Sequence, residues 1–261
     1  MTIAPQTVDA RINFENVGVD FPDPAGGTKR VLDNINLEIP HGQFIALVGK
    51  SGCGKTTLLN MAAALVSPTQ GEITVAGTSP RDARSQLGFM LARDALLPWR
   101  SAVRNVEYGL ELRGVGKAER RERARKWLGL VGLSNAESLW PWQLSQGMRQ
   151  RVALARTWAL NPNVLLMDEP FAALDVFTRV SVQNAFLDLW QSDQRKTVIF
   201  VTHDLGEAIA LADRIVVLGE GRILDDVEVG LERPRDLESI NEHPGFRELH
   251  ERLRTGLSGN H

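Results

Sequence analysis

Alternating and continuous apolar runs divide this chain into segments that predict different elements. Residues 12–21 and 31–39 alternate apolar and polar positions, which is typical of antiparallel strands with one buried face. Short apolar runs, typical of buried strands, lie at 44–48, 164–168, 197–202 and 214–218, and 72–75 is a further predicted short strand. Helical periodicity lies between them, at 55–65, 176–191 and 205–212. The alternation predicts an α/β fold with a parallel sheet covered by helices and an added antiparallel β subdomain.

Two regions differ from this alternating core, which we place within residues 11–233. Residues 93–160 are rich in Arg, Leu, Ala and Trp at helical spacing and predict a helical subdomain inserted into the core. Residues 234–261 predict a short helical tail, in which Phe246, Leu249 and Leu253 fall on one face. We expect this face to pack on the body of the protein.

Composition and charge limit the classes of function. The 261 residues are 43% hydrophobic and 24% charged, and the net charge of −2 gives no global field that favours nucleic acid or an anionic membrane. The apolar runs are far shorter than the ~18–20 residues of a membrane span, and no apolar signal-peptide core follows Met1. The single cysteine excludes an intrachain disulfide. We therefore expect a cytoplasmic protein that reaches any membrane through a partner.

A glycine-rich loop follows the apolar run at 44–48 and fits the pattern G-x-x-x-x-G-K-[ST]. Such a loop between a strand and a helix binds nucleotide phosphates, because glycine backbones turn N–H groups inward and the helix directs its positive end at the anion. Lys55 is expected to reach the β- and γ-phosphates, and Thr56 to bind Mg²⁺ through its hydroxyl. The predicted nucleotide-binding residues are Gly49, Lys50, Ser51, Gly52, Cys53, Gly54, Lys55, Thr56 and Thr57.

Cys53 has two interpretations inside this loop. A thiol near a helix N-terminus is either reactive or simply a small side chain that fits. The first interpretation predicts that alkylation blocks nucleotide binding and that bound nucleotide protects the thiol.

Two carboxylates end the apolar run at 164–168, at the edge of the sheet where ligands gather in parallel folds. Asp168 is the predicted ligand of Mg²⁺, directly or through water. Glu169 is the predicted base that orients and deprotonates the attacking water. His203 ends the next apolar run, so we expect it to donate a hydrogen bond to the γ-phosphate. The predicted catalytic residues are therefore Lys55, Glu169 and His203.

Five motifs in order carry a resemblance over nearly the whole chain. They are GKSGCGKT at 49–56, LSQGMRQR at 144–151, VLLMDEP at 164–170, AALD at 172–175 and THD at 202–204. Together they resemble the ATP-binding subunits of ABC (ATP-binding cassette) transporters. LLPW at 96–99 and DLGEA at 204–208 are further similar to the importer branch that serves nitrate, sulfonate, taurine and related small anions.

The resemblance implies an ATPase that uses ATP and Mg²⁺ and works as a homodimer with nucleotide between two copies. Ser145 and Gly147 would contact the γ-phosphate held by the opposite copy, and Asp175 would link the two sites. Phe21 falls near the position where the family places an aromatic that stacks on adenine, and Phe14 lies nearby.

Two positions depart from the family pattern. The family places a magnesium-ligating Gln after the strand at 88–91, where this chain has Ala92, and an alanine offers no ligand. Two interpretations follow for Ala92. Either it alters ATP hydrolysis or the coupling of hydrolysis to transport, or it has little effect. Gln146 replaces the usual Gly of the signature, while Gly147 remains.

The resemblance also implies partners. Residues 94–99 would face a membrane permease, which works with a solute-binding protein, so the chain would lie on the cytoplasmic face of the inner membrane and bind no nucleic acid. One alternative is a soluble ABC ATPase acting on nucleic acid or ribosomes, but this sequence has no tandem cassette, long coiled coil or basic arm. Another is a small-molecule kinase, against which LSQGM and His203 argue. The solute itself is left open.

Overall fold

The computed structural model of the protein describes residues 11–24, 26–91, 93–172, 174–192, 196–233, 235 and 239–258. Nine strands lie in this described part: β1 (Ile12–Pro22), β2 (Thr28–Ile39), β3 (Phe44–Gly49), β4 (Gln70–Val75), β5 (Leu87–Met90), β6 (Val164–Asp168), β7 (Thr197–Val201), β8 (Arg214–Gly219) and β9 (Arg222–Glu228). They form a six-stranded sheet in the order β5–β6–β7–β3–β8–β9 and a three-stranded sheet in the order β2–β1–β4.

The six-stranded sheet is parallel except for β9, which pairs antiparallel with β8. Its central strand β3 is buried over its whole length. Phe44, Ala46 and Val48 contribute to one hydrophobic cluster, whereas Ile45 and Leu47 contribute to another. A strand that buries alternate residues in two different cores has both faces covered, as continuous apolar runs predict. The predicted α/β class is therefore confirmed.

The three-stranded sheet is antiparallel and lies on the second of these clusters. Helix α1 (Lys55–Ala62) follows β3 and places Leu58 and Leu59 in the same cluster as Phe14 of β1. Because α1 also contacts β3, β6 and β7, it lies between the two sheets. The helix that begins at the glycine loop is therefore anchored on both sides.

Three helices occupy the segment predicted to be helical: α2 (Ala102–Leu112), α3 (Lys117–Leu130) and α4 (Gln146–Ala159). They pack on one another, and α4 also contacts α5 (Val176–Ser192). The remaining helices are α6 (Leu205–Leu211) and α7 (Pro244–Ser258). No helix in the described ranges is both long and apolar enough to cross a membrane.

Helix α7 packs against α6 and β8 with the face that the sequence predicts. Leu253 and Phe246 are buried, and Leu249 is partly buried against the same core. Arg252 of this helix donates to both carboxylate oxygens of Asp225 on β9. The tail is thus joined to the edge of the large sheet by apolar and charged contacts.

Two elements differ from the predicted pattern. Strand β9 was not predicted, because Asp225 and Asp226 interrupt its alternation, and these acidic residues lie on an edge strand where charges are common. Helix α1 ends at Ala62 rather than at residue 65. Ala64 has φ 56°, and the N–H groups of Leu65 and Val66 both donate to the Asn60 carbonyl, which closes the helix early.

Candidate functional site

The glycine loop forms the floor of a cavity of about 290 Å³. The residues that line it are Val31, Ser51, Gly52, Gly54, Lys55, Thr56, Thr57 and Glu169. Gly54 has φ 108°, and a Cβ at this position would overlap the side chain of Leu32. Glycine suits both the positive φ and the close approach to Leu32. The loop backbone can therefore lie close to β2.

Lys55 is buried at the base of this loop, with 6% of its surface exposed. Its Nζ donates to the carbonyls of Gly49 at 2.7 Å and Lys50 at 3.1 Å. Within the described residues no carboxylate lies at salt-bridge distance from Lys55, so neutral carbonyls hold its positive charge. A buried cation held in this way favours an anion beside it, which is the chemistry that phosphate binding requires.

Thr56 and Asp168 meet at the edge of the cavity. The Thr56 hydroxyl donates to Asp168 Oδ1 at 3.1 Å, although the two residues are 112 positions apart in the chain. Burial raises the pKa of Asp168, and the hydrogen bond from Thr56 partly offsets the rise. A hydroxyl and a carboxylate are hard oxygen donors of the kind that Mg²⁺ uses together with phosphate and water, so the pair fits the predicted metal.

Glu169 and His203 form a second pair at the ends of β6 and β7. His203 Nδ1 lies 3.2 Å from Glu169 Oε2, and about two thirds of the histidine side chain is exposed. Glu169 has φ 45°, a left-handed conformation that costs energy for a residue with a Cβ, and its N–H is fixed by the Val201 carbonyl at 2.9 Å. The backbone thus directs this carboxylate toward the cavity that it lines.

The signature residues lie at the start of α4 and do not line the cavity. Ser145 is exposed, and its hydroxyl accepts the N–H of Met148, which caps the helix. Gly147 is buried, and a Cβ there would overlap the methyl group of Thr178 on α5. The structure therefore gives Gly147 a packing role within one copy, in addition to the predicted contact with nucleotide.

Asp175 precedes α5 and caps it, since its carboxylate accepts the N–H of Thr178 at 3.1 Å. Hydrogen bonds from Thr178 keep the pKa of Asp175 below its ordinary value. The residue is exposed and does not line the cavity. Its predicted role between two sites stays a prediction.

The candidate adenine aromatics differ in exposure. Phe14 has 1% of its surface exposed inside the antiparallel sheet, so its ring is not available to a ligand. Phe21 is half-buried near the end of β1 and remains the predicted stacking residue. Ala92 lies outside the described residues, so the structure does not describe the position where the family has its glutamine.

Two contacts that local patterns did not predict connect the site to other elements. Asp94 accepts a hydrogen bond from Arg149 Nε at 2.9 Å, which joins the segment predicted to face a permease to the signature helix α4. Glu207 accepts from Thr202 Oγ1 at 2.5 Å and from Gln183 Nε2 at 2.6 Å. The D-x-x-E pattern at 204–207 is a helix-capping signal that marks the position of Glu207 but not its side-chain contacts, since the Asp204 side chain accepts the Glu207 N–H.

Comparison with known proteins agrees with this geometry. The ABC transporter family matches residues 32–172. An uncharacterized ABC transporter ATP-binding protein of Methanocaldococcus jannaschii is 49% identical over 82% of this chain and 81% of its own length. An aliphatic sulfonates import ATP-binding protein of Mesorhizobium japonicum is 47% identical over 88% of this chain and 84% of its own length.

A solved structure shows the same fold. It is an ATP-binding cassette determined as a dimer in a post-hydrolysis state with ADP and Pi, and it is 32% identical. It aligns with a TM-score of 0.76 over 85% of this chain and 100% of that chain. The family match spans the glycine loop, the signature and the Asp168–Glu169 pair. This chain therefore belongs to the ABC transporter family and is an ATP-binding ATPase.

Proposed function

We propose that this protein is the ATP-hydrolysing, energy-coupling subunit of a membrane importer for a small anionic solute, and that it acts as a homodimer. One observation carries the proposal. The cavity is lined by the glycine loop and Glu169, and Asp168 and His203 contact these lining residues, whereas the described contacts of Ser145, Gly147 and Asp175 lie within α4 and α5. One copy thus presents the two parts of an ABC nucleotide site separately, and a second copy is needed to bring them together.

The residues around the cavity divide the chemistry of hydrolysis among them. The loop N–H groups and Lys55 hold the phosphates, and the lysine charge offsets the charge that develops during transfer. Thr56 and Asp168 would hold Mg²⁺, which when bound would neutralise phosphate charge. Glu169 orients the attacking water and takes its proton, while His203 donates to the γ-phosphate. The contact between Glu169 and His203 keeps the histidine beside the carboxylate that lines the cavity.

The dimer would place Ser145 and Gly147 of each copy over the nucleotide of the other. An exposed serine at a helix N-terminus is suited to this, because the hydroxyl and the positive end of α4 both favour a phosphate. ATP binding would close the two copies, and hydrolysis would release them. The solved dimer of a related cassette with ADP and Pi supports this arrangement.

The permease would receive these movements through the segment that includes Asp94 and Trp99. Trp99 is 68% exposed, while Asp94 is joined to the signature helix through Arg149. A displacement of α4 on dimer closure would therefore reach the surface predicted to face the permease. The sulfonate import relative supports an importer with an anionic solute. Such an ATPase would lie on the cytoplasmic face of the inner membrane, and its permease would work with a solute-binding protein.

The test is affinity purification of the chain, tagged at its N-terminus, from gently solubilised membranes of cells that express it, followed by identification of what copurifies. The matched control is the same tag on a Trp99→Ala, Asp94→Ala variant. We expect a multi-span permease in about a 2:2 ratio with the ATPase, with lower recovery from the variant. The binding protein encoded with that permease would then be screened against sulfonates, taurine and nitrate. Recovery of ribosomal or nucleic-acid proteins without a permease would contradict the importer and favour a soluble ABC ATPase.

A further inference from the structure

The segment around His203 is fixed on both sides by a partly buried hydrogen-bond network. Thr202 precedes the histidine, and its hydroxyl donates to Glu207 Oε2 and accepts the N–H of Asp204 at 3.1 Å. Asp204 follows the histidine, and its carboxylate accepts the N–H of Glu207 at 3.1 Å. Both neighbours of His203 are therefore bonded to one residue, while the histidine side chain itself extends into solvent toward Glu169.

The same carboxylate reaches a second element. Gln183 on α5 donates to Glu207 Oε1, and Gln183 is buried, with 6% of its surface exposed. Helix α5 begins directly after Asp175, the residue predicted to link the two sites of the dimer. One partly buried carboxylate thus joins the helix that follows Asp175 to the segment that carries His203.

We infer that Glu207 is a positioning residue that holds His203 through Thr202 and Asp204 and ties the position of that histidine to helix α5. The inference rests on the proposed role of His203 in hydrolysis. Glu207 itself does not line the cavity, so its effect must pass through the residues that it holds.

The burial of Glu207, together with the charges around it, gives the network a dependence on pH. Two charged groups act on Glu207 electrostatically, Arg179 of α5 and Asp204 at the start of α6. His203 follows β7. From α7, the Phe246 ring approaches α6 near Gly206. Burial raises the pKa of Glu207 to about 7. Thr202 has one hydroxyl hydrogen, so protonation of Glu207 at Oε2 would reverse their hydrogen bond and change what holds His203.

A matched pair of isosteric substitutions tests the inference. Thr202→Val removes the hydroxyl that bonds Glu207 and Asp204. Thr197→Val, at the other end of the same strand, removes a buried hydroxyl that accepts the Gly42 N–H at 2.9 Å. Thr197→Val removes one hydrogen bond of a buried hydroxyl and Thr202→Val removes two, so both should lower thermal stability. Only Thr202→Val should lower kcat, by about tenfold, because a small misplacement of a catalytic group is costly. ATP affinity should stay within about twofold in both.

Glu207→Gln supplies a second readout. A glutamine can donate to Thr202 and accept from Gln183, so it reproduces the protonated form of the carboxylate without titrating. The kcat of the parent protein should change with pH near 7, and that step should disappear in Glu207→Gln. Equal kcat values for Thr202→Val and Thr197→Val, or an unchanged pH step in Glu207→Gln, would overturn the inference.

His203→Ala tests the proposed role of His203 separately from the positioning role of Glu207. If the His203→Ala variant keeps the parent kcat, the proposed role of His203 in hydrolysis is wrong. If the variant loses activity, that role stands, and the comparison of Thr202→Val with Thr197→Val decides whether Glu207 positions the histidine.

Discussion

The phosphate-binding part and the signature part of this protein are built in opposite ways. Lys55 is buried on the carbonyls of its own loop, and Thr56 is already bonded to Asp168. Ser145 and Asp175, by contrast, are exposed, and their described hydrogen bonds only cap the helices that they precede. The first part is assembled within one copy, whereas the second has its outward-facing groups available to another molecule. In the proposed dimer, one copy would therefore bind the phosphates and the other would supply the signature residues.

The largest expected effect separates the two parts directly. Lys55→Met keeps the aliphatic stem but removes the buried ammonium group, so ATP binding should be lost and hydrolysis should fall by about three orders of magnitude. The matched control is Lys126→Met on the exposed surface of α3, which should keep parental activity. Fluorescent-nucleotide binding and phosphate release measure the two effects. ATP binding by Lys55→Met at parental affinity would contradict the assignment of the phosphate part.

A second prediction concerns the stability of the network behind His203. Below about pH 4.5 Glu207 is neutral whether the protein is folded or unfolded. Between that pH and about 7 the unfolded chain loses the proton while the folded protein keeps it, so the free energy of unfolding decreases as the pH rises. Glu207→Gln cannot titrate and should therefore gain about 3 kcal/mol relative to the parent between these two pH values. Urea denaturation at pH 5 and pH 8 measures the change, and parallel stability profiles for the two proteins would contradict it.

A third prediction divides the two roles of Gly147. Gly147→Ala places a methyl group against the Thr178 methyl and should lower stability by about 1–3 kcal/mol. Adding Thr178→Ser removes the overlapping methyl and should recover the stability, as measured by chemical denaturation. ATP-dependent association of the copies should stay weak in the double variant, because the proposed contact with the partner's nucleotide needs the close backbone approach that glycine allows. Full recovery of association would show that Gly147 serves only packing within one copy.

The smallest expected effect concerns Cys53, which has 8% of its surface exposed and lies with Sγ 3.9 Å from Lys55 Nζ. Alkylation by N-ethylmaleimide should be slow, should block ATP binding once complete, and should be prevented by prior addition of ATP. Cys53→Ala should bind ATP whether or not the reagent is present. If the alkylated parent protein binds ATP normally, Cys53 is only a small residue that fits the loop.

The sequence predicted the elements whose signals are local. Continuous apolar runs identified β3, β6 and β7, which are buried on both faces, and the glycine pattern identified the loop together with Lys55 and Thr56. The order of motifs predicted the family, and the family match and the relatives confirm it. Such features are visible because residues close in the chain decide them.

The features that the sequence did not predict are contacts between distant segments. Strand β9 depends on pairing with β8, and its acidic residues interrupt the apolar alternation that marks a strand. The bond from Arg149 to Asp94 spans 55 positions, and the bond from Gln183 to Glu207 spans 24. Packing of Gly147 on Thr178 likewise depends on how α4 meets α5. No local periodicity carries this information, because tertiary packing decides which polar groups meet.

The central claim is that two copies complete the nucleotide site, and the Glu169→Gln variant tests it most directly. This change should preserve ATP binding while removing the base, so that the closed state accumulates. Light scattering should give the mass of one chain without nucleotide or with ADP, and twice that mass with ATP. Adding Lys55→Met to the variant should abolish the change, which ties it to bound ATP. If Glu169→Gln remains a monomer at saturating ATP, or hydrolyses ATP at the parental rate, the account of a shared site with Glu169 as its base is wrong.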